Sequence, residues 1–208
     1  MSLLILIRHG ENEYTQKGRL PGQLPGIHLN ERGKEQAALL AKSLGRLPIK
    51  AVYASPLERA VETAEPLARA LKLDLELRPG LMDSNTGSWS GKEIRKLGKD
   101  PTWKIVQTAP SRARFPGGES IHETQTRVVN EIESICARHP KDMVAIVFHA
   151  DPILLTVAYL LGLPLDGFHR LSMDTGAVTL MAIGENGAHL LALNLKPPFK
   201  FDLPKRRK

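Results

Sequence analysis

The chain has 208 residues, 42% hydrophobic and 25% charged, which fits one globular domain large enough to bury a core, and it contains no apolar run long enough to span a bilayer. Its single cysteine, Cys136, excludes an intrachain disulfide and a metal site built on several thiolates. The formal charge is +7, but Lys205, Arg206, Arg207 and Lys208 supply four of those charges and leave +3, so the extension after Pro197-Pro198 reads as a solvated basic tail and nucleic acid is not an expected partner.

The run Leu3-Leu4-Ile5-Leu6-Ile7 predicts a parallel strand buried on both faces, ending in Arg8-His9-Gly10-Glu11. No basic segment precedes the run, so no signal peptide is expected, and the chain reads as cytoplasmic. Residues 10–29 hold four glycines and two prolines without periodicity, which predicts a long loop. Asn30 is the expected N-cap of a helix with Ala37, Leu40, Ala41 and Leu44 on one face and Gly45 at its end. A short strand at residues 51–54 leads to Ser55-Pro56-Leu57-Glu58, where serine, proline and glutamate predict a capping box with Ser55 as N-cap. A further strand is expected at residues 73–77.

The pattern weakens over residues 80–119, which contain both tryptophans, Trp89 and Trp103; this stretch is expected to form a lid-like insertion with short helices over the pocket. Ser120-Ile121-His122-Glu123 is a second capping box, opening a helix to about Arg138 on which Ile132, Ile135 and Cys136 face the core. Residues 143–148 read as a core strand. Asp151-Pro152 opens the next helix, with Asp151 as its N-cap. Strands at about 177–183 and 188–194, joined by Gly-Glu-Asn-Gly, predict a hairpin. The expected fold is α/β: a three-layer α/β/α sandwich with a mostly parallel sheet, an antiparallel edge strand and a small insertion over the active site. It occupies one domain, residues 1–196, followed by the basic tail, 197–208.

Active sites of open α/β sheets lie at the carboxyl ends of strands. Four segments suit such a site: Arg8-His9-Gly10-Glu11, Ser55-Pro56-Leu57-Glu58-Arg59-Ala60, Asp83 ahead of Gly87-Ser88-Trp89, and Val147-Phe148-His149-Ala150. In this order, over residues 3 to about 183, they resemble the histidine phosphatase superfamily, also called the phosphoglycerate mutase-like family. The resemblance implies that His9 is a nucleophile that becomes phosphohistidine, that Arg8 and Arg59 bind phosphate, and that His149 binds the transferring oxygens in its charged form. Asp83 stands where the small phosphatases and mutases usually place a glutamate, and it would be the general acid. Two departures stand out: Ala150 replaces a usual glycine, and Thr15 replaces a usual asparagine that contacts the phosphate, a contact for which threonine can still donate one hydrogen bond. Gly18-Arg19-Leu20-Pro21-Gly22 resembles the loop lining the pocket, where Arg19 is either a phosphate contact or a solvated cation. Glu11 reads equally as a loop residue or a catalytic one, and Glu119 as a pocket hydrogen-bond partner or a helix start.

His28, His122, His139, His169 and His189 match no catalytic position, no histidine–carboxylate set has metal-ligand spacing, and there is no Walker loop. Neither a metal nor a cofactor is expected. The implied activity is metal-independent phosphomonoester hydrolysis through His9, with a small phosphorylated metabolite as partner. The alternatives are a phosphoglycerate mutase and a non-catalytic phospho-ligand binder. Mutases resembling this family are longer and carry an arginine directly after the acid; here Ser84 follows Asp83.

Overall fold

The computed structural model describes residues 1–198. Its strands are β1 (Ser2–Arg8), β2 (Ile49–Ala54), β3 (Leu75–Leu77), β4 (Met143–Phe148), β5 (Val178–Gly184) and β6 (Gly187–Leu195). They form one sheet in the order β3-β2-β4-β1-β5-β6. The first four strands in that order are parallel, and β5 runs against both β1 and β6. The two-residue turn Glu185-Asn186 closes the β5–β6 hairpin, with Gly184 paired to Gly187.

The helices are α1 (Glu13–Gln16), α2 (Glu31–Leu44), α3 (Glu58–Leu71), α4 (Ile94–Leu97), α5 (Pro101–Thr108), α6 (Ile121–Arg138) and α7 (Ala150–Leu160). The alternation of β1 divides two cores. Leu4 and Leu6 join Val128, Ile132 and Ile135 of α6 and Ile153 and Val157 of α7 on one face. Ile5 and Ile7 join Leu40 and Leu44 of α2 and Ala60, Ala64 and Leu67 of α3 on the other. A strand covered by helices on both sides cannot alternate polar and apolar residues, which is why it reads as a continuous apolar run.

Local caps form where the sequence predicts them at Asn30 and at Ser120, whose box with Glu123 is complete. Two others do not. The N-cap of α3 is Leu57, without a side-chain bond, because the Ser55 amide still donates to the Val147 carbonyl at 2.9 Å; Ser55 therefore remains part of the sheet edge. Glu58 instead accepts from the Gly26 amide at 3.0 Å and ties down the loop before α2. Similarly, α7 begins at Ala150 with His149 as N-cap, so Asp151 is already helical and cannot cap it. Within the expected loop 10–29, Asn12 and Thr15 build a capping box for the single turn α1. Cys136 is partly buried against the core, and burial pushes its thiol up to about 11, which disfavours the thiolate. Residues 199–208, most of the basic tail, lie outside the described residues. Among the described residues, no helix is long and apolar enough to cross a membrane.

Candidate active site

Three neighbouring strands end together. Arg8 on β1 is level with Phe148 on β4, and Ala54 on β2 is level with Val147, so His9, His149 and Ser55 all emerge at the same edge. The His9 amide donates to the Phe148 carbonyl at 2.9 Å. The two imidazoles stand with centroids 5.2 Å apart, and both residues are buried.

His9 is held by its own turn. Its Nδ1 lies 2.7 Å from the Gly10 carbonyl, which can only accept, so Nδ1 carries the hydrogen and Nε2 keeps its lone pair. The Gly10 amide donates to Thr63 Oγ1 at 2.9 Å. A side chain at position 10 would place its Cβ 2.7 Å from the Gly33 carbonyl oxygen, so the turn needs glycine to rest on α2. Burial, and then the charges of Arg59 and Arg8, hold the His9 pKa well below the usual imidazole range, and the ring is neutral.

Arg59 is fully buried on the first turn of α3. Its Nη2 donates to the Gly22 carbonyl at 2.7 Å and to Asp83 Oδ2 at 3.1 Å, while Nε and Nη1 make no hydrogen bond. Arg8 donates through Nη1 to the Met173 carbonyl and leaves its buried Nε unpaired. Buried guanidinium donors are costly unless something anionic meets them. His149 contributes a further unpaired atom: Nε2 lies 2.8 Å from Ser55 Oγ, and Nδ1 stands 3.6 Å from Asp83 Oδ2 without a hydrogen bond. Burial first, then Arg59, His9 and Arg8, hold the His149 pKa well below the usual imidazole range, against the charged form that the resemblance implies.

Asp83 is pushed up to about 6 by burial, with Asp151 adding to the rise and Arg59 opposing it. Its loop is organised by Arg127, a residue the sequence reading missed. The Arg127 guanidinium donates to the carbonyls of Gly80, Met82 and Asp83 and to both oxygens of Glu119, at 2.9–3.1 Å. Glu119 also accepts from the Asn85 amide at 2.9 Å, so its part is to hold the Asp83 loop. Breaking such a partly buried pair leaves its partner uncompensated; Arg127→Met should lower stability by about 2–4 kcal/mol in a denaturant titration, and Arg127→Lys should restore only part of it. A loss under about 0.5 kcal/mol, the ordinary surface range, would contradict this role.

Arg8, His9, Thr15, Arg19 and Asp83 line one cavity of about 400 Å³. Thr15 reaches it with a hydroxyl already engaged, accepting from the Asn12 amide at 3.0 Å and donating to the Asn12 carbonyl at 2.9 Å. Arg19 stands exposed at the rim, its Nε donating to the Gly91 carbonyl at 2.8 Å and its guanidinium 5.0 Å from the Tyr14 ring centre. Glu11 turns instead to Asn30 and Arg32. The outer wall comes from Ile94, Trp103 and Gln107 of the weakly patterned region, together with Asp151 and with His169, which matched no site position in the sequence. Trp89 of the Gly-x-Trp segment is buried, with Trp103 and Phe115 centred 5.7 and 5.8 Å away, and so anchors this wall. Ala150 is the first helical residue of α7, where a Cβ is accommodated without a glycine conformation. Among the described residues, no group of three or more histidine, cysteine or acidic side chains could hold a metal ion.

The sequence model of the histidine phosphatase superfamily (branch 1) matches residues 4–196. The chain belongs to this family. It is 33% identical over 198 residues to phosphoserine phosphatase 1 of Hydrogenobacter thermophilus, covering 94% of this chain and 93% of that protein. It is 30% identical over 193 residues to the metal-independent phosphoserine phosphatase of Arabidopsis thaliana, covering 90% of this chain and 76% of that protein. In the same superfamily fold, the crystal structure of the α-ribazole phosphatase of Shigella flexneri superposes with a TM-score of 0.83 at 28% identity, over 92% of this chain and 96% of that one.

Proposed function

We propose that this histidine phosphatase hydrolyses small phosphomonoesters through a phosphohistidine at His9. The observation that carries the reading is the set of unpaired buried guanidinium donors, Arg8 Nε and Arg59 Nε and Nη1, on two arginines whose charges act on a histidine with a free Nε2. A phosphoryl group has three equatorial oxygens to occupy such donors, and fixed cations favour the charge that grows on them during transfer. The Nε2 lone pair attacks phosphorus, and the phosphorus–oxygen ester bond breaks. The departing oxygen takes a proton from the Asp83 carboxyl and leaves as the alcohol. The imidazolium so formed keeps its Nδ1 hydrogen on the Gly10 carbonyl. In the second step the Asp83 carboxylate takes a proton from water, whose oxygen attacks phosphorus. The phosphorus–nitrogen bond then breaks, returning its electron pair to Nε2 and releasing phosphate. Arg19 and Thr15 border the path by which substrate enters.

Phosphoserine is the first substrate to test. Two relatives carry that activity in their names, and Asp151 in the outer wall offers a carboxylate to an ammonium group. Phosphate release from phosphoserine should exceed release from 3-phosphoglycerate and should be unchanged by chelator. Isomerisation of phosphoglycerate that outpaces phosphate release in the presence of the bisphosphate would favour a mutase. Activity lost on chelation and restored by a divalent metal would contradict the reading outright.

A further inference from the structure

The side chain that meets His149 at Nε2 is Ser55, which the local spacing places at the start of a helix. Ser55 is fully buried at the end of β2. Its hydroxyl has two partners: the Leu57 amide at 3.4 Å and His149 Nε2 at 2.8 Å. The amide is a donor, so it occupies a lone pair of Oγ and cannot take the hydroxyl hydrogen. Among the described residues, the acceptor left for that hydrogen is Nε2 of His149. A neutral imidazole that accepts at Nε2 carries its hydrogen at Nδ1. This Nδ1 is the buried atom without a hydrogen bond that stands 3.6 Å from Asp83 Oδ2, on the side where the guanidinium donors are also unpaired.

The reverse tautomer would leave the Ser55 hydrogen buried without an acceptor. We propose that Ser55 is a positioning residue that locks His149 as its Nδ1–H tautomer, so that a neutral histidine presents a donor to the transferring phosphoryl oxygens. The proposal rests on the phosphoryl-transfer reading for its use, and on the Ser55–His149 geometry for its substance. The ring needs a hydrogen at the correct atom, and the hydroxyl behind it determines which atom that is.

Proton-detected nitrogen NMR reads the tautomer directly, with His149→Gln identifying the His149 signals. In the unmodified protein, Nδ1 should carry the hydrogen and Nε2 should have the shift of an unprotonated ring nitrogen. Ser55→Ala should lose this preference, and kcat should fall about 10- to 100-fold, the scale of one hydrogen bond to a charged group. KM should change less than about threefold, because the donor acts on charge that develops in the transition state. Ser55→Thr, which keeps the hydroxyl, should retain both the tautomer and most of the rate. Hydrogen at Nε2 in the unmodified protein would overturn the proposal. So would a Ser55→Ala protein with unaltered tautomer and unaltered kcat. If Ser55→Ala fails to fold, the unmodified spectrum and the Ser55→Thr protein still decide. An active His9→Ala protein would break the phosphohistidine reading while leaving the tautomer result standing, so the two failures are distinguishable.

Discussion

His9→Ala is expected to lower turnover by about 10⁴-fold or more, the scale on which enzymes lose rate when a covalent nucleophile is removed. Alanine removes the imidazole whose Nε2 is left free by the Gly10 contact at Nδ1, and it leaves Arg8, Arg59 and His149 in place. Substrate should therefore still bind, and phosphoserine affinity measured by calorimetry should stay within about tenfold of the unmodified protein. The fold should persist as well, because the Gly10 amide keeps its bond to Thr63 and the position 9 amide keeps its bond to Phe148. Turnover near the unmodified level would mean that the phosphoryl group never passes through His9.

Asp83→Asn is expected to have the second largest effect, and one that depends on the leaving group. An alkoxide departs poorly without a proton, whereas a nitrophenolate needs little help. Hydrolysis of phosphoserine should fall by about 10²-fold or more, the usual range for general-acid catalysis, and hydrolysis of p-nitrophenyl phosphate should fall much less. The pH dependence has a definite sign. Burial raises the Asp83 pKa from 3.8 to about 6, and the acid works in its protonated form, so its contribution to kcat/KM is lost as pH rises through about 6. Titration of the substrate phosphate affects both proteins alike, so the ratio of their profiles isolates Asp83. Asp151→Asn is the informative comparison, since Asp151 shares the cavity and its pKa is also raised by burial. It should show no leaving-group dependence, and its effect should fall on KM for substrates that carry an amine. If the two proteins exchange behaviours, Asp151 is the proton donor.

The parts of the molecule legible in the sequence are those fixed by short-range patterns. Leu4 and Leu6 face one core and Ile5 and Ile7 the other, and that two-sided burial is written directly in an uninterrupted apolar run. The caps at Asn30 and Ser120 close within three residues, so local spacing suffices to find them. Ser55 carries the same local signal and does something else, because a long-range sheet bond to Val147 holds it two residues short of the helix cap at Leu57. Asp151 misleads for a similar reason, since the end of β4 makes His149 the cap. At the candidate site, the motifs point to His9, Arg8, Arg59, His149 and Asp83, but their surroundings are tertiary: burial, then Arg59, His9 and Arg8, depress the His149 pKa. Arg127 was beyond reach, because its three carbonyl partners lie 44 to 47 residues away in sequence and a lone arginine on a helix resembles a solvated one. His169 enters the wall from a 3-10 turn, Leu165–Arg170, that follows α7 in the chain, where no motif marks it.

The central claim is that a phosphoryl group resides on His9 during turnover. The direct measurement is to mix the protein with phosphoserine, quench within a turnover under alkaline conditions, and map the modified peptide by mass spectrometry. The account predicts one added phosphoryl group on the peptide containing His9, stable in base and lost in acid. The same preparation of His9→Ala should carry none. Sustained phosphate release with no acid-labile phosphoryl on His9, or with the group on another residue, would contradict it.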